Sequence, residues 1–171
     1  ELKNIFVRNA VKEAVPGTGG YSTTKMSTPD YLTGNYTGSS GTVAYLANSV
    51  TPPVSVGTEH KTDYWFYILP NEEATRTALV LEGTFKKSAS DAGTTIYYPI
   101  IVNKSQTGTN ITGASGTGTS NIARNTTYAI KATIKNIGTD DPTGEINPTS
   151  LELTVSVADW ALNITQDVTF E

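Results

Sequence analysis

Side chains able to do acid–base or metal chemistry are scarce in this chain of 171 residues. His60 is the only histidine and cysteine is absent, which excludes sites that need several imidazole or thiolate ligands. Asp140, Asp141 and Glu145 could offer oxygen ligands to a hard cation. Their spacing differs from that of a strong calcium loop and is typical of turns, although calcium at Asp140 and Asp141 stays an open alternative. No nucleophile and base stand together, so we predict no enzyme and no cofactor.

Two other patterns suggest ligands but fit structural roles better. The glycine-rich run 113–118 resembles a phosphate-binding loop, yet no lysine follows it and no helix is predicted after it. Aromatic side chains could line a platform for sugars, although aromatic residues on strands more often pack in a core. The aromatic residues in question are Trp65, Tyr67, Tyr97, Tyr98 and Trp160.

The composition narrows the classes of partner. With 12 basic and 16 acidic residues and a net charge of −4, the chain has no basic face for nucleic acid. No apolar run approaches the roughly 20 residues that span a bilayer. The surface is rich in Thr, Ser, Gly and Asn, as in secreted and cell-surface proteins. We expect one domain over residues 1–171, either a trimmed mature protein or a piece of a longer one.

The hydrophobic period is that of strands almost everywhere. Strands are predicted at 63–69, 77–85, 95–102, 128–134 and 151–157, with the last two paired. Loops are predicted at 17–40, 105–120 and 136–150 from their Gly, Pro and polar content. A short helix over 6–15 competes with an extended reading of 5–7. These elements predict an all-β protein, an antiparallel β-sandwich.

The last twelve residues read as one long strand with one apolar face. The even positions from 160 to 170 are apolar except for one glutamine, and the odd positions are mostly polar. The even-numbered side chains are Trp160, Leu162, Ile164, Gln166, Val168 and Phe170. The apolar phase changes near Ala158 and Asp159, which predicts a bulge, a bend or two separate strands. Such a segment can close its own sheet or add to the sheet of another molecule.

Several segments together resemble the C-terminal half of Bacteroidales fimbrillins, the shaft subunits of type V pili, nearest the minor, short-fimbria type. They are YYPI at 97–100, IARN at 122–125, YAI at 128–130, IGTDDP at 137–142 and LTVSVADW at 153–160. The resemblance runs from about Tyr64 to Glu171. It implies a transthyretin-like sandwich in a subunit that is exported as a lipoprotein precursor and displayed on the cell surface.

The resemblance also implies a mechanism of assembly. In that family a protease removes an N-terminal strand, and the groove that this opens takes the C-terminal strand of a neighbouring subunit. Residues 160–171 would be the donated strand here, and the partners would be other fimbrial subunits. This chain has room for one sandwich only, so we expect a C-terminal domain without the N-terminal one. The alternative is a tip or accessory adhesin that binds host glycan or protein through its polar loops.

Overall fold

The computed structural model describes residues 1–11, 36–38, 41–43, 46–55, 57, 59, 63–72, 76–104, 109–113, 119–144 and 150–159. Within these ranges the assigned elements are all strands. They are β1 (Leu2–Arg8), β2 (Tyr36–Gly38), β3 (Gly41–Val43), β4 (Ala47–Val54), β5 (Ala78–Phe85), β6 (Thr94–Ile101), β7 (Thr109–Gly113), β8 (Thr126–Ile134) and β9 (Leu151–Asp159). No helix in the described ranges is long and apolar enough to cross a membrane.

The strands form two main sheets and one small hairpin. The larger sheet has the order β4-β1-β5-β6 and is antiparallel throughout. The smaller has the order β7-β9-β8, and β2 pairs with β3. The predicted pairing of 128–134 with 151–157 is confirmed, because Tyr128 pairs with Val157 and Ile134 with Leu151. The all-β sandwich is therefore confirmed, with one departure: β7 runs parallel to β9.

The main core lies between the two sheets. Its buried members are Ile5 of β1, Val50 of β4, Leu81 of β5, and Tyr98 and Ile100 of β6. Ile130 and Ala132 of β8 pack against them from the other sheet. Side chains that alternate along each strand thus meet across the sandwich, as the period-two pattern predicts.

The opposite face of the larger sheet is also buried. Phe6, Ala78, Val80 and Ile101 form a second cluster, in which none is more than 4% exposed. Burial on both faces explains why β5 and β6 carry runs of consecutive apolar residues instead of a strict alternation.

The segment 63–70 corrects one strand prediction. It has the burial pattern of a strand, with Tyr64, Phe66 and Ile68 packed on the core, but it is assigned to no sheet. It ends at the buried Asn71, whose backbone pairs with Ile122 and whose side chain donates to Thr77 Oγ1 at 2.7 Å. The period of two in the sequence indicates that alternate residues are buried, but it does not show that the backbone pairs with another strand.

Three further expectations meet the structure with mixed results. The extended reading of 5–7 is correct, because β1 runs to Arg8 and Asn9 then takes a left-handed conformation with φ of 56°. The loops predicted at 17–40 and 105–120 were wrong in part, since they contain β2 and β7. Both strands are short and rich in Thr or Gly, so pairing with a neighbour, and not a local apolar pattern, decides that they form.

We predict that the core is sensitive to truncation at Ile100 and tolerant at Ile134. Ile100 is fully buried, whereas Ile134 is 43% exposed. Ile100→Ala should lower the free energy of unfolding by about 2–5 kcal/mol, because it leaves a cavity. Ile134→Ala, the same change at a partly exposed site, should lower the free energy of unfolding by less than about 1 kcal/mol. Urea denaturation of both variants checks this, and equal losses would contradict the assignment of the core.

Candidate polymerisation interface

The strand that leads to the terminal segment lies in the middle of its sheet. β9 is hydrogen-bonded to β7 on one side and β8 on the other. Its pairing with β8 continues without a break to Asp159, and Val155 and Val157 are buried while Ser156 and Ala158 are exposed. The apolar phase therefore stays regular through Ala158. The six predicted donor residues (Trp160, Leu162, Ile164, Gln166, Val168 and Phe170) lie outside the described residues.

A local turn sets the start of β8. The partner of Asp159 is Thr126, the first residue of β8. Just before it, Arg124 and Asn125 form a turn in which Asn125 has φ of 51°. The Thr126 hydroxyl donates to the Arg124 carbonyl at 2.9 Å and holds this turn.

One edge of the larger sheet is protected by residues of the IGTDDP segment. The backbone of Thr139 exchanges two hydrogen bonds with Tyr97 of β6, at 2.7 and 2.9 Å. Two residues along, Pro99 occupies the next outward position of β6 and has no N–H to offer. An edge covered at one residue and lacking a donor at another is a poor template for a further strand.

Residues 136–139, which overlap the start of the IGTDDP segment, are fastened to the core by side chains. We call these four residues the strap. The buried Tyr98 donates its hydroxyl to the Asn136 carbonyl at 2.9 Å, and Ser150 Oγ donates to the Ile137 carbonyl at 2.8 Å. Burial raises the pKa of the Tyr98 phenol. Gly138 permits the close approach, because a Cβ there would collide with the Tyr97 carbonyl and lie 3.1 Å from Tyr98 Cζ.

The acidic residues that follow the strap form a turn. The Thr143 amide and hydroxyl both donate to Asp141 Oδ1, at 2.8 and 2.6 Å. These hydrogen bonds lower the pKa of the Asp141 carboxyl. Asp140 is exposed, and no cluster of three metal-ligating side chains occurs among the described residues. Glu145, the third residue of the predicted set, and His60 lie outside them.

The other edge of the larger sheet carries a different form of protection. β4 contains Pro52 and Pro53 in succession, and its register with β1 shifts between Leu2 and Asn4. Proline removes ladder donors, and the irregular register bends the edge. Both edges of this sheet therefore carry features that disfavour strand addition.

The aromatic residues do not form one platform. Tyr97 and Tyr98 are neighbours on β6 and face opposite sides of the sheet, and Trp160 lies outside the described residues. Trp65 and Tyr67 are 68% and 73% exposed, so placing them in the core was wrong. They alternate with the partly buried side chains of 63–70 and form, with Leu69, an exposed stripe.

Comparison with known proteins places this arrangement in a family. The model of the FimA4 pilin C-terminal domain matches residues 11–160. The chain belongs to this pilin domain family. The match begins well before Tyr64, where the resemblance visible in the sequence starts, and ends at the first residue of the terminal segment.

Two solved structures share the fold of the pilin domain. A fimbrilin from Porphyromonas gingivalis has a TM-score of 0.55 and 21% identity, over 93% of this chain and 50% of its own. A protein from Parabacteroides distasonis, described as a cell adhesion protein, has a TM-score of 0.54 and 19% identity, over 94% of this chain and 52% of its own. The chain thus spans about half the length of each. No curated protein sequence matched.

Sequence reasoning found the strap motif but not its role in the pilin domain. The signal available was Pro99 within a predicted strand, because proline in a strand marks an edge. The glycine-rich run 113–118 begins at the end of β7, and the rest of it lies outside the described residues.

We predict that the pilin domain does not tolerate a side chain at Gly138. Gly138→Ala should lower the free energy of unfolding by about 1–3 kcal/mol, because the new Cβ overlaps the Tyr97 carbonyl and displaces the strap. Gly144→Ala is the matched control in the same loop, where the nearest atom, Asp141 Oδ2, is 3.3 Å from the added Cβ. Thermal denaturation compares the two. Equal melting temperatures would show that the strap is not held at Gly138.

Proposed function

We propose that this chain is a C-terminal domain, a single sandwich over residues 1–171, of a structural subunit of a bacterial surface fimbria. In this proposal, residues 160–171 form the strand that the subunit donates to a neighbour. The observation that carries it is the place of β9 in the middle of its sheet, followed in the sequence by twelve residues with one apolar face. The family match supports the fimbrial class.

The central place of β9 favours donation. Among the described strands, β7 and β8 occupy both sides of β9, so a strand that follows β9 in the sequence has no place directly beside it. A segment with strand periodicity, one apolar face and one polar face is suited to another subunit's sheet.

Burial of the apolar face supplies enough free energy for a durable polymer. Four large side chains, Leu162, Ile164, Val168 and Phe170, would enter the acceptor. At about 1.5–3 kcal/mol each they give on the order of 6–12 kcal/mol before the cost of ordering the strand. Head-to-tail addition without a closing rotation yields a filament, in accord with display at the cell surface after export across the outer membrane.

We predict that polymerisation depends on one face of the terminal segment. Ile164→Asp in the full protein should abolish fibre formation, because it places a carboxylate in the apolar acceptor. Thr165→Asp adds the same charge on the opposite face and should leave fibres intact. Deletion of 162–171 should also prevent fibres. Electron microscopy and gel filtration measure the outcome.

The melting temperature of each variant separates this role from self-closure. All three changes should leave the melting temperature of the monomer within a few degrees of the parent. A large loss in the Ile164→Asp variant alone would place the segment in its own domain's core, and normal fibres from the deletion variant would refute donation.

A second candidate function is that of a tip or accessory adhesin. The exposed pair Trp65 and Tyr67 favours it, since two large aromatic side chains lie in water on one side of an extended segment. Flat aromatic faces with a polar edge suit a pyranose ring and also suit a host protein.

We predict for this candidate that Trp65→Ala and Tyr67→Ala each weaken binding in a glycan array by at least tenfold. Ile137→Ala removes another exposed apolar side chain, 52% exposed on the strap, and should have no effect. A parent chain that binds no glycan above background would exclude a sugar-binding adhesin.

A further inference from the structure

We propose that the outer edge of β8 is an acceptor for the terminal strand of a second copy of this chain. The inference rests on the proposed function and gives the donated strand a partner within this domain. It assigns to one sandwich both a donor and an acceptor.

Among the described residues, no strand pairs with the backbone of β8 on its outer side. β8 is an edge strand of nine residues without Pro or Gly. Lys135, just after it, donates its N–H to the Ser150 carbonyl at 3.0 Å, toward β9. Because antiparallel ladders alternate, Ile130, Ala132 and Ile134 direct their N–H and C=O groups outward, and no described residue hydrogen-bonds to those groups.

This edge differs from both edges of the larger sheet. β6 is covered by the strap and interrupted by Pro99, and β4 carries Pro52 and Pro53. β7, the other edge of the smaller sheet, is described over five residues. Among the described strands, β8 therefore offers the longest unprotected template for strand addition.

The apolar side chains of this edge are partly exposed to solvent. Ile130 and Ala132 touch the core but are only partly buried, and Ile134 is 43% exposed. A strand added beside β8 places its own core-facing side chains next to these three. It therefore covers apolar surface in addition to satisfying the backbone.

The charges on β8 and just after it favour an acidic strand. Lys131 and Lys135 are exposed on the solvent face, four positions apart, and Lys135 Nζ lies 3.0 Å from Glu152 Oε2. On the polar face of the terminal segment, Asp167 and Glu171 are also four positions apart. Two β8 edges placed side by side would repel each other through these lysines, whereas the carboxylates of the terminal strand attract the lysines.

One register satisfies the charges and the apolar positions together. In a parallel arrangement with Leu162 beside Thr126, the carboxylates of Asp167 and Glu171 lie beside Lys131 and Lys135. The same register sets Val168 beside Ala132 and Phe170 beside Ile134. All nine residues of β8 then have a partner.

The occupant in this register is a second copy and not the chain's own terminus. Asp159 pairs with Thr126 on the inner side of β8, so Leu162 would have to reach the outer side in three residues. That path spans two strand spacings, about 9.5 Å, and three residues extend at most about 10 Å. The three residues therefore leave no length of chain to pass around the turn at Arg124 and Asn125.

Charge exchange in the 171-residue chain tests the proposal. Sedimentation equilibrium over a concentration series should show self-association. Lys131→Glu with Lys135→Glu should weaken it about tenfold, as should Asp167→Lys with Glu171→Lys. The four changes combined should restore association to within threefold of the parent. Lys86→Glu with Lys87→Glu, the same change of charge on another surface, should have no effect.

Hydrogen exchange adds a readout of the backbone. On association the amides of Ile130, Ala132 and Ile134 should become protected, while those of 127, 129 and 133 are protected in monomer and polymer alike. A chain that stays monomeric, or a combined variant that does not recover, would overturn the acceptor at β8.

Ile164→Asp in the same assay distinguishes the two proposals. If it abolishes association while the lysine variants do not, the terminal strand is still a donor but its acceptor lies elsewhere. If it has no effect, donation by the terminal segment itself is refuted.

Discussion

The constraint on which this structure depends is the hydrogen bonding of backbone groups at the edges of its sheets. An open sheet presents a row of N–H and C=O groups at each side, and any extended chain of suitable shape can pair with them. Three edges of the described sheets differ in this respect. Thr139 bonds to Tyr97 at β6, and consecutive prolines lie in β4, whereas β8 contains no proline and no described segment covers it. In a protein proposed to assemble by strand addition, the protected edges direct the incoming strand as much as the open one does.

The strap shows how a loop can serve the same purpose as a strand. Its two backbone hydrogen bonds to Tyr97 cover one position of β6, and the Tyr98 hydroxyl and Ser150 fix it from both sides. Gly138 is needed because the strap lies so close to β6 that no Cβ fits. The strap therefore belongs to the closure of the sandwich, and the acidic residues that follow it form a turn in which Asp141 accepts a hydrogen bond from Thr143.

Much of the fold could be predicted from the sequence, and the failures have physical causes. Strands β5, β6, β8 and β9 carry strong apolar patterns, and all four lie close to their predicted positions. The segment 63–70 has the same pattern without a sheet, because alternation records burial and says nothing about the neighbour of the backbone. Conversely, β7 has almost no apolar pattern and forms because β9 lies beside it. Trp65 and Tyr67 were misjudged because residue type alone does not tell which side of an extended segment faces the core.

The central place of β9 has a mechanical consequence. Whatever is joined to the chain after Asp159 pulls along the axis of β9, which is held by β8 over nine residue pairs and by β7 over five. Since ladder hydrogen bonds run across the strands, tension in this direction loads both ladders in shear, and they must yield together. An edge strand pulled from its end would instead peel away one bond at a time. A tether rooted in the middle of a sheet is thus suited to carry force.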